Sequence, residues 1–114
     1  MELTERTEGG VTILDLVGRL RVEDGASDFR ASIVGLIAKG CCCLVLNLER
    51  CPYVDSAGLG ELATALVKAR KAGGQVVLVN VPDRVLELLR ITRLTDVFTI
   101  CQDERSALAA VQSV

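Results

Sequence analysis

The spacing of apolar positions changes period several times along this chain, and each change marks an expected element. Residues 3–7 and 11–17 flank Glu8-Gly9-Gly10, a turn-rich spacer of hairpin length that predicts two antiparallel opening strands. In residues 26–39, Phe29, Ile33, Leu36 and Ile37 recur at helical spacing; Asp24 can cap the start of this helix, and Gly40 can end it in a left-handed turn. Residues 41–48 are almost unbroken apolar sequence, the pattern of a mid-sheet strand covered on both faces. A loop is expected over residues 49–55. Leu59, Leu62, Ala63, Leu66 and Val67 then form an apolar stripe, with Glu61, Lys68 and Lys71 outward and Gly73-Gly74 ending the helix. Residues 75–79 read as another buried strand, and Pro82-Asp83 opens a short helix carrying Val85, Leu86 and Leu89. Residues 97–100 read as a last short strand, and Asp103 can cap a final helix with Ala107, Leu108 and Val111 inward.

Strand and helix alternate after the hairpin, which implies parallel strands, right-handed crossovers and helices packed on the sheet. The expected fold class is α/β: one small domain over residues 1–114, with a mixed, mostly parallel sheet, an N-terminal antiparallel hairpin and about four helices. Half of the 114 residues are apolar, enough for one compact core and too few for two ordinary domains.

Charge and cysteine usage narrow the function classes. The net charge is −2 and no long Lys/Arg run exists, which argues against nucleic-acid or membrane-surface binding and favours a protein partner. The longest apolar runs are strand-sized, and Met1-Glu2-Leu3-Thr4-Glu5-Arg6 lacks a basic region followed by an apolar stretch, so a cytoplasmic protein is expected. Of five cysteines, Cys41, Cys42 and Cys43 are consecutive in an expected buried strand, where thiols serve as small hydrophobes. Cys51 and Cys101 lack Cys-x-x-Cys spacing, and with no histidine in the chain no zinc site is expected; Cys51 lies near the candidate site as a possible redox-sensitive thiol.

The candidate site is Pro52-Tyr53-Val54-Asp55-Ser56-Ala57-Gly58-Leu59-Gly60, between an apolar strand and an amphipathic helix. At the carboxyl end of a parallel strand such a loop lies on the functional edge, where a helix start directs free N–H groups outward. Either Asp55 or Ser56 can simply cap the helix. Ala57 and Gly58 leave the serine hydroxyl little shielded, and a phosphate on it would lie against a helix N-terminus that favours anions. Added charge beside Asp55 would then repel a partner surface shaped around neutral serine. Asp55 can shape the turn or orient the hydroxyl for a kinase. Tyr53 can anchor an interface or cover the loop's own core. Asn80 suits the turn after its strand. Arg90 and Arg93 read as solvated charges.

The Asp55-Ser56-Ala57-Gly58-Leu59-Gly60 motif resembles the phosphoacceptor motif of STAS domains of the bacterial anti-sigma factor antagonist family. Gly18-Arg19-Leu20 resembles the family's glycine-led segment after the second strand, and Leu78-Val79-Asn80, Leu88-Leu89, Leu94 before Phe98, and Ala107-Leu108 resemble its later landmarks, so the likeness spans nearly the whole chain. It implies a domain that binds an anti-sigma serine kinase when unphosphorylated, is released on phosphorylation of Ser56, is restored by a phosphatase, and so regulates transcription indirectly. It also implies a partner surface of Tyr53, Asp55, Ala57 and Gly58 with Arg21, Glu23 and Asp24. Arg21 departs from the acidic residue common in antagonists after the Gly-x-Leu segment, which bears on partner choice. The alternative is a constitutive STAS interaction subunit of a larger signalling or transport complex.

Enzyme chemistries fit poorly. A Gly-x-Ser-x-Gly elbow lacks its leading glycine here, and no histidine exists to act as base. Gly58-Leu59-Gly60-Glu61-Leu62-Ala63 fits Gly-x-Gly-x-x-Ala only superficially, and no phosphate-binding Gly-Lys-Ser/Thr loop is present, so ATP belongs to the kinase partner. No catalytic residue, cofactor or metal is expected.

Overall fold

The computed structural model describes residues 1–112; Ser113 and Val114, within the expected domain limits, lie outside the described residues. Strands β1 (Glu2–Glu8) and β2 (Val11–Leu20) form the expected hairpin, with Glu8 opposite Val11. Gly9 and Gly10 between them have φ of 55° and 81°, which suits a type I′ turn, whose twist matches that of the flanking strands. There follow α1 (Ala26–Ala38), β3 (Cys43–Val54), α2 (Ser56–Lys71), β4 (Gln75–Val79), α3 (Asp83–Ile91), a 3-10 turn (Leu94–Asp96), β5 (Thr99–Cys101) and α4 (Glu104–Gln112). The sheet order is β1-β2-β3-β4-β5, antiparallel in its first pair and parallel in the others, which places β3 in the middle as expected.

Side-chain alternation in the central strands builds two cores of unequal size. Leu14, Leu16, Leu44, Leu46, Val76 and Leu78 face α1, α2 and α3, whose Phe29, Ile33, Leu62, Leu66, Val85 and Leu89 close the larger core. Val11, Ile13, Val45, Val77 and Val79 point the other way, onto Ala107 and Val111 of α4. Both faces are covered, which explains why β3 and β4 begin as continuous apolar runs.

Five local expectations change. Asp24 does not cap α1: Gly25 is the N-cap, and the Asp24 side chain turns back to Arg21. Gly25 has φ 93°, and a Cβ there would lie 2.1 Å from the Arg19 carbonyl oxygen, so the turn excludes any side chain at the capping position. Residues 49–54 are strand, not loop: the β2–β3 register moves from Asp15↔Asn47 through Val17↔Arg50 to Arg19↔Tyr53, so β3 carries two bulged residues along β2. Pro52 is tolerated because this stretch extends beyond β4, which last meets β3 at Asn47, and is paired only with β2. In α2, Val67 is 51% exposed, and Ala65 and Ala69 complete the inward face with Leu62 and Leu66. The last strand starts at Thr99 because the Val97 and Phe98 N–H groups donate back to the Leu94 carbonyl, closing the 3-10 turn. Among the cysteines, Cys41 and Cys42 precede β3 and only Cys43 is in it; all five thiols are free.

Phe29 is fully buried at the centre of the larger core. Phe29→Ala is expected to cost about 3–5 kcal/mol in urea unfolding, and Val67→Ala to stay within about 0.5 kcal/mol of wild type.

Candidate functional site

The end of β2 and the start of α2 meet almost in backbone contact. The Asp55 N–H donates to the Leu20 carbonyl at 3.2 Å, and a Cβ on Gly58 would sit 2.1 Å from that same oxygen and 2.9 Å from Val54 Cγ1. Gly58 is thus small because the strand end lies beneath it. It is buried, so it sets the helix entry and offers no side chain to a partner.

Asp55 is the residue that organises this edge. Its backbone is extended (φ −94°, ψ −176°) and it is the N-cap of α2, with Oδ1 accepting from Gly58 N–H at 2.8 Å. Its Oδ2 accepts from Val22 N–H at 3.0 Å, so one carboxylate ties the helix start to the turn after β2. The Gly58 N–H, foremost, holds the Asp55 carboxyl below its ordinary range, with the Val22 and Ala57 N–H groups and the Arg21 charge acting the same way.

With capping done by Asp55, Ser56 is left as the first residue of α2, exposed, and its hydroxyl makes no hydrogen bond among the described residues. The two capping readings of the sequence are resolved in favour of Asp55. Ala57 behind it is half-buried.

The neighbouring turn holds the other expected residues. Its backbone closes through Arg21 N–H to Asp24 O at 2.9 Å and Ala26 N–H to Arg21 O at 3.2 Å. The Arg21 guanidinium bonds Asp24 Oδ1 at 2.5 Å and lies 3.9 Å from Glu23. Arg21 is therefore matched by its own loop, and it holds the Asp24 carboxyl below the usual range. Glu23 remains largely solvent-facing. Tyr53, 41% exposed, lies opposite Arg19 across the β2–β3 ribbon and is available to a partner. Sequence reasoning missed Val22, 70% exposed in the same turn, whose N–H fixes Asp55. An apolar residue between charged neighbours in a short loop was the available signal.

Cys51 is fully buried beneath this edge, and burial pushes its thiol up to about 11. It packs as a small hydrophobe and carries little thiolate at neutral pH. Asn80, at φ 51°, closes the turn after β4 and donates to Asn47 Oδ1 at 3.4 Å. Asn47 in turn donates to Glu104 at 2.7 Å, and Glu104 and Asp15 share Arg6, a network that fastens α4 and β1 across the opposite sheet face. Arg90 pairs with Glu87 on the surface, and Arg93 adopts a left-handed conformation before the 3-10 turn. Among the described residues no group of three or more Cys, Asp or Glu side chains could hold a metal ion, and no helix is long and apolar enough to cross a membrane.

Comparison with known proteins gives this geometry a family. The STAS domain model matches residues 3–107. BtrV of Bordetella bronchiseptica is 27% identical over 113 residues, covering 99% of this chain and 97% of its own. An anti-sigma factor antagonist from Mycobacterium paratuberculosis superposes with a TM-score of 0.87 at 22% identity, covering 97% of this chain and 93% of that one. The anti-sigma factor antagonist SpoIIAA in its unphosphorylated form has a TM-score of 0.76 at 18% identity, covering 99% and 100%. The Bacillus cell fate determinant SpoIIAA in its phosphorylated form superposes with a TM-score of 0.74 at 20% identity, covering 96% of this chain and 99% of that one.

Two outcomes test the geometry. Gly58→Ala is expected to destabilise the fold through the Leu20 contact, whereas Gly60→Ala, with nothing within 4 Å of its Cβ, is expected to stabilise it by about 0.5–1 kcal/mol in denaturant unfolding. The depressed Asp55 carboxyl adds stability that is present above its unfolded value of about 3.9 and is lost as pH falls through its lower folded value. Asp55→Asn keeps an accepting cap without that titration, so the stability gap between wild type and variant should narrow as pH drops from about 6 to about 3 in thermal melts.

Proposed function

The chain belongs to the STAS domain family, and from that premise we propose that it is an anti-sigma factor antagonist whose binding to an anti-sigma serine kinase is switched by phosphorylation of Ser56. The observation that carries the reading is the division of labour at the start of α2: Asp55 spends both carboxylate oxygens on the backbone, and Ser56 keeps an exposed, unbonded hydroxyl. In the unphosphorylated state the edge formed by Ser56, Ala57, Tyr53 and the turn from Arg21 to Asp24 docks on the kinase, and the sigma factor that the kinase would hold is freed. Transcription is thereby regulated indirectly. The domain is cytoplasmic, carries no cofactor and is not itself an enzyme.

The chemistry on this side of the interface is simple. Ser56 Oγ forms the new bond to the γ-phosphorus of the ATP held by the kinase, the bond to ADP breaks, and the hydroxyl proton passes to a base of the kinase. The product places roughly −1.5 to −2 charges at the first turn of a 16-residue helix. There the helix dipole favours an anion by about 0.3–1 kcal/mol, so the domain stays folded while its docking edge gains bulk and charge beside Asp55 and Glu23. A phosphatase restores the binding form. Arg21, engaged by Asp24 and Glu23, leaves that turn without a strong net positive charge.

The purified protein is incubated with its candidate anti-sigma kinase and Mg-ATP, and phosphate is mapped by mass spectrometry. Phosphate on Ser56 that is absent from Ser56→Ala is the expected result. In binding titrations Ser56→Ala should keep kinase affinity within about threefold and Ser56→Asp should weaken it about tenfold or more. Unmodified protein that binds, with Ser56→Asp equal to wild type, would instead favour the constitutive interaction subunit.

A further inference from the structure

The far end of the α1–α2 layer differs in chemistry from the rest of the molecule. Near their middle the two helices are bridged by Arg30, whose Nε donates to Glu61 Oε2 at 2.9 Å. Toward their C-termini no ion pair bridges them among the described residues, and an open groove of about 410 Å³ lies between Val34, Ile37 and Ala38 of α1 and Lys68, Lys71 and Ala72 at the end of α2. Its floor is apolar. Val34 is 47% exposed, and Val67 beside Lys68 in sequence is also exposed, although neither contributes to the larger core.

Charge partition makes this groove specific. The chain has 15 acidic residues, yet none lies between Asp28 and Glu49 or between Glu61 and Asp83, the two segments that supply the groove. Those segments carry Arg30, Lys39, Lys68, Arg70 and Lys71. Arg30 is spent on Glu61 and Arg70 donates to the Val97 carbonyl at 3.2 Å. Lys39, Lys68 and Lys71 have no ion-pair partner among the described residues. A protein of net charge −2 thus presents one apolar trough flanked by Lys71, which has no ion pair among the described residues, and by Lys68, which feels the Glu61 carboxylate without forming an ion pair with it.

We propose that this groove is a second docking surface, one that takes an acidic amphipathic helix of a partner protein. Apolar side chains at helical spacing seat between Val34, Ile37 and Ala72, and carboxylates on the flanks meet Lys68 and Lys71. A second copy of this chain is a poor occupant, because the facing lysines would then repel one another. The groove lies at the opposite end of α2 from Ser56, roughly 20 Å along a helix that rises 1.5 Å per residue. Docking there is compatible with either state of Ser56, so the chain can stay tethered in an assembly while its other edge is switched.

The probe is a fluorescein-labelled designed helical peptide with leucines at i, i+3, i+4 and i+7 and flanking glutamates, compared with one carrying the same leucines and flanking lysines. With the full chain, the glutamate peptide should shift the amide resonances of Val34, Ile37, Lys68 and Ala72. Its affinity in anisotropy titrations should fall at least about tenfold in a Lys68→Glu/Lys71→Glu variant and with added salt. Val34→Ser should also weaken it, and Ser56→Asp should leave it within about twofold. Equal binding of the two peptides, shifts confined to the Ser56 edge, or no binding would overturn the proposal. So would binding to phosphatidylglycerol vesicles but not to the peptide, or a dimer in sedimentation that Val34→Ser abolishes. Kinase-dependent phosphate on Ser56 is read separately, so the failure of this proposal and of the Ser56 switch are distinguishable.

Discussion

Two carbonyl oxygens at the end of β2 hold the functional edge, and each is approached by a glycine. Gly25 closes over Arg19 O and Gly58 over Leu20 O, both too near for a side chain, while the Asp55 N–H bonds the Leu20 oxygen directly. Because backbone meets backbone at these points, the turn after β2 and the first turn of α2 have little freedom relative to each other. The Asp55 carboxylate closes the remaining gap by accepting from both sides. Everything exposed at this end, including Val22, Tyr53 and Ser56, takes its position from that clamp.

The periodic parts of the fold were legible because burial on one or two faces leaves a clear trace. The hairpin, the central placement of β3, the four helices and the glycine stops follow from alternation, apolar runs and turn residues. The bulged half of β3 did not, since two extra residues break the two-residue period and leave Leu48, Cys51 and Val54 buried at three-residue intervals. With Glu49, Arg50, Pro52 and Tyr53 between them, that pattern has the composition of a loop. The capping of α1 was misread for a related reason: Asp24 is a favoured cap by type, but an arginine three residues earlier competes for it. At the site itself, the motif located the serine, whereas the capping by Asp55 and the need for Gly58 arise from the end of β2 lying beneath the helix start, a contact distant in sequence.

The molecule has two ends of different character because α2 runs the length of the sheet. At its N-terminus lie carboxylates, amide donors and the serine. At its C-terminus lie lysines and small apolar residues with no acidic neighbour in sequence. The opposite sheet face carries α4 and the hydrogen-bonded group of Arg6, Asp15, Asn47 and Glu104, which with Glu2, Thr4, Glu49 and Arg50 lines an open polar cavity of about 440 Å³. A near-neutral net charge therefore hides a strong separation of surface chemistry along one helix.

The exposed, unbonded hydroxyl of Ser56 has a consequence for how variation at this position would behave in a cell. Most harmful substitutions act by lowering the folded fraction and are noticed by chaperones and proteases as a fall in abundance. Position 56 contributes no cap, no core contact and no backbone strain, so a replacement there leaves the molecule as durable as before. Proteostasis would not remove such a variant. It would persist at full concentration, so any effect of the variant would come from what the residue does to other molecules rather than from the survival of its own fold.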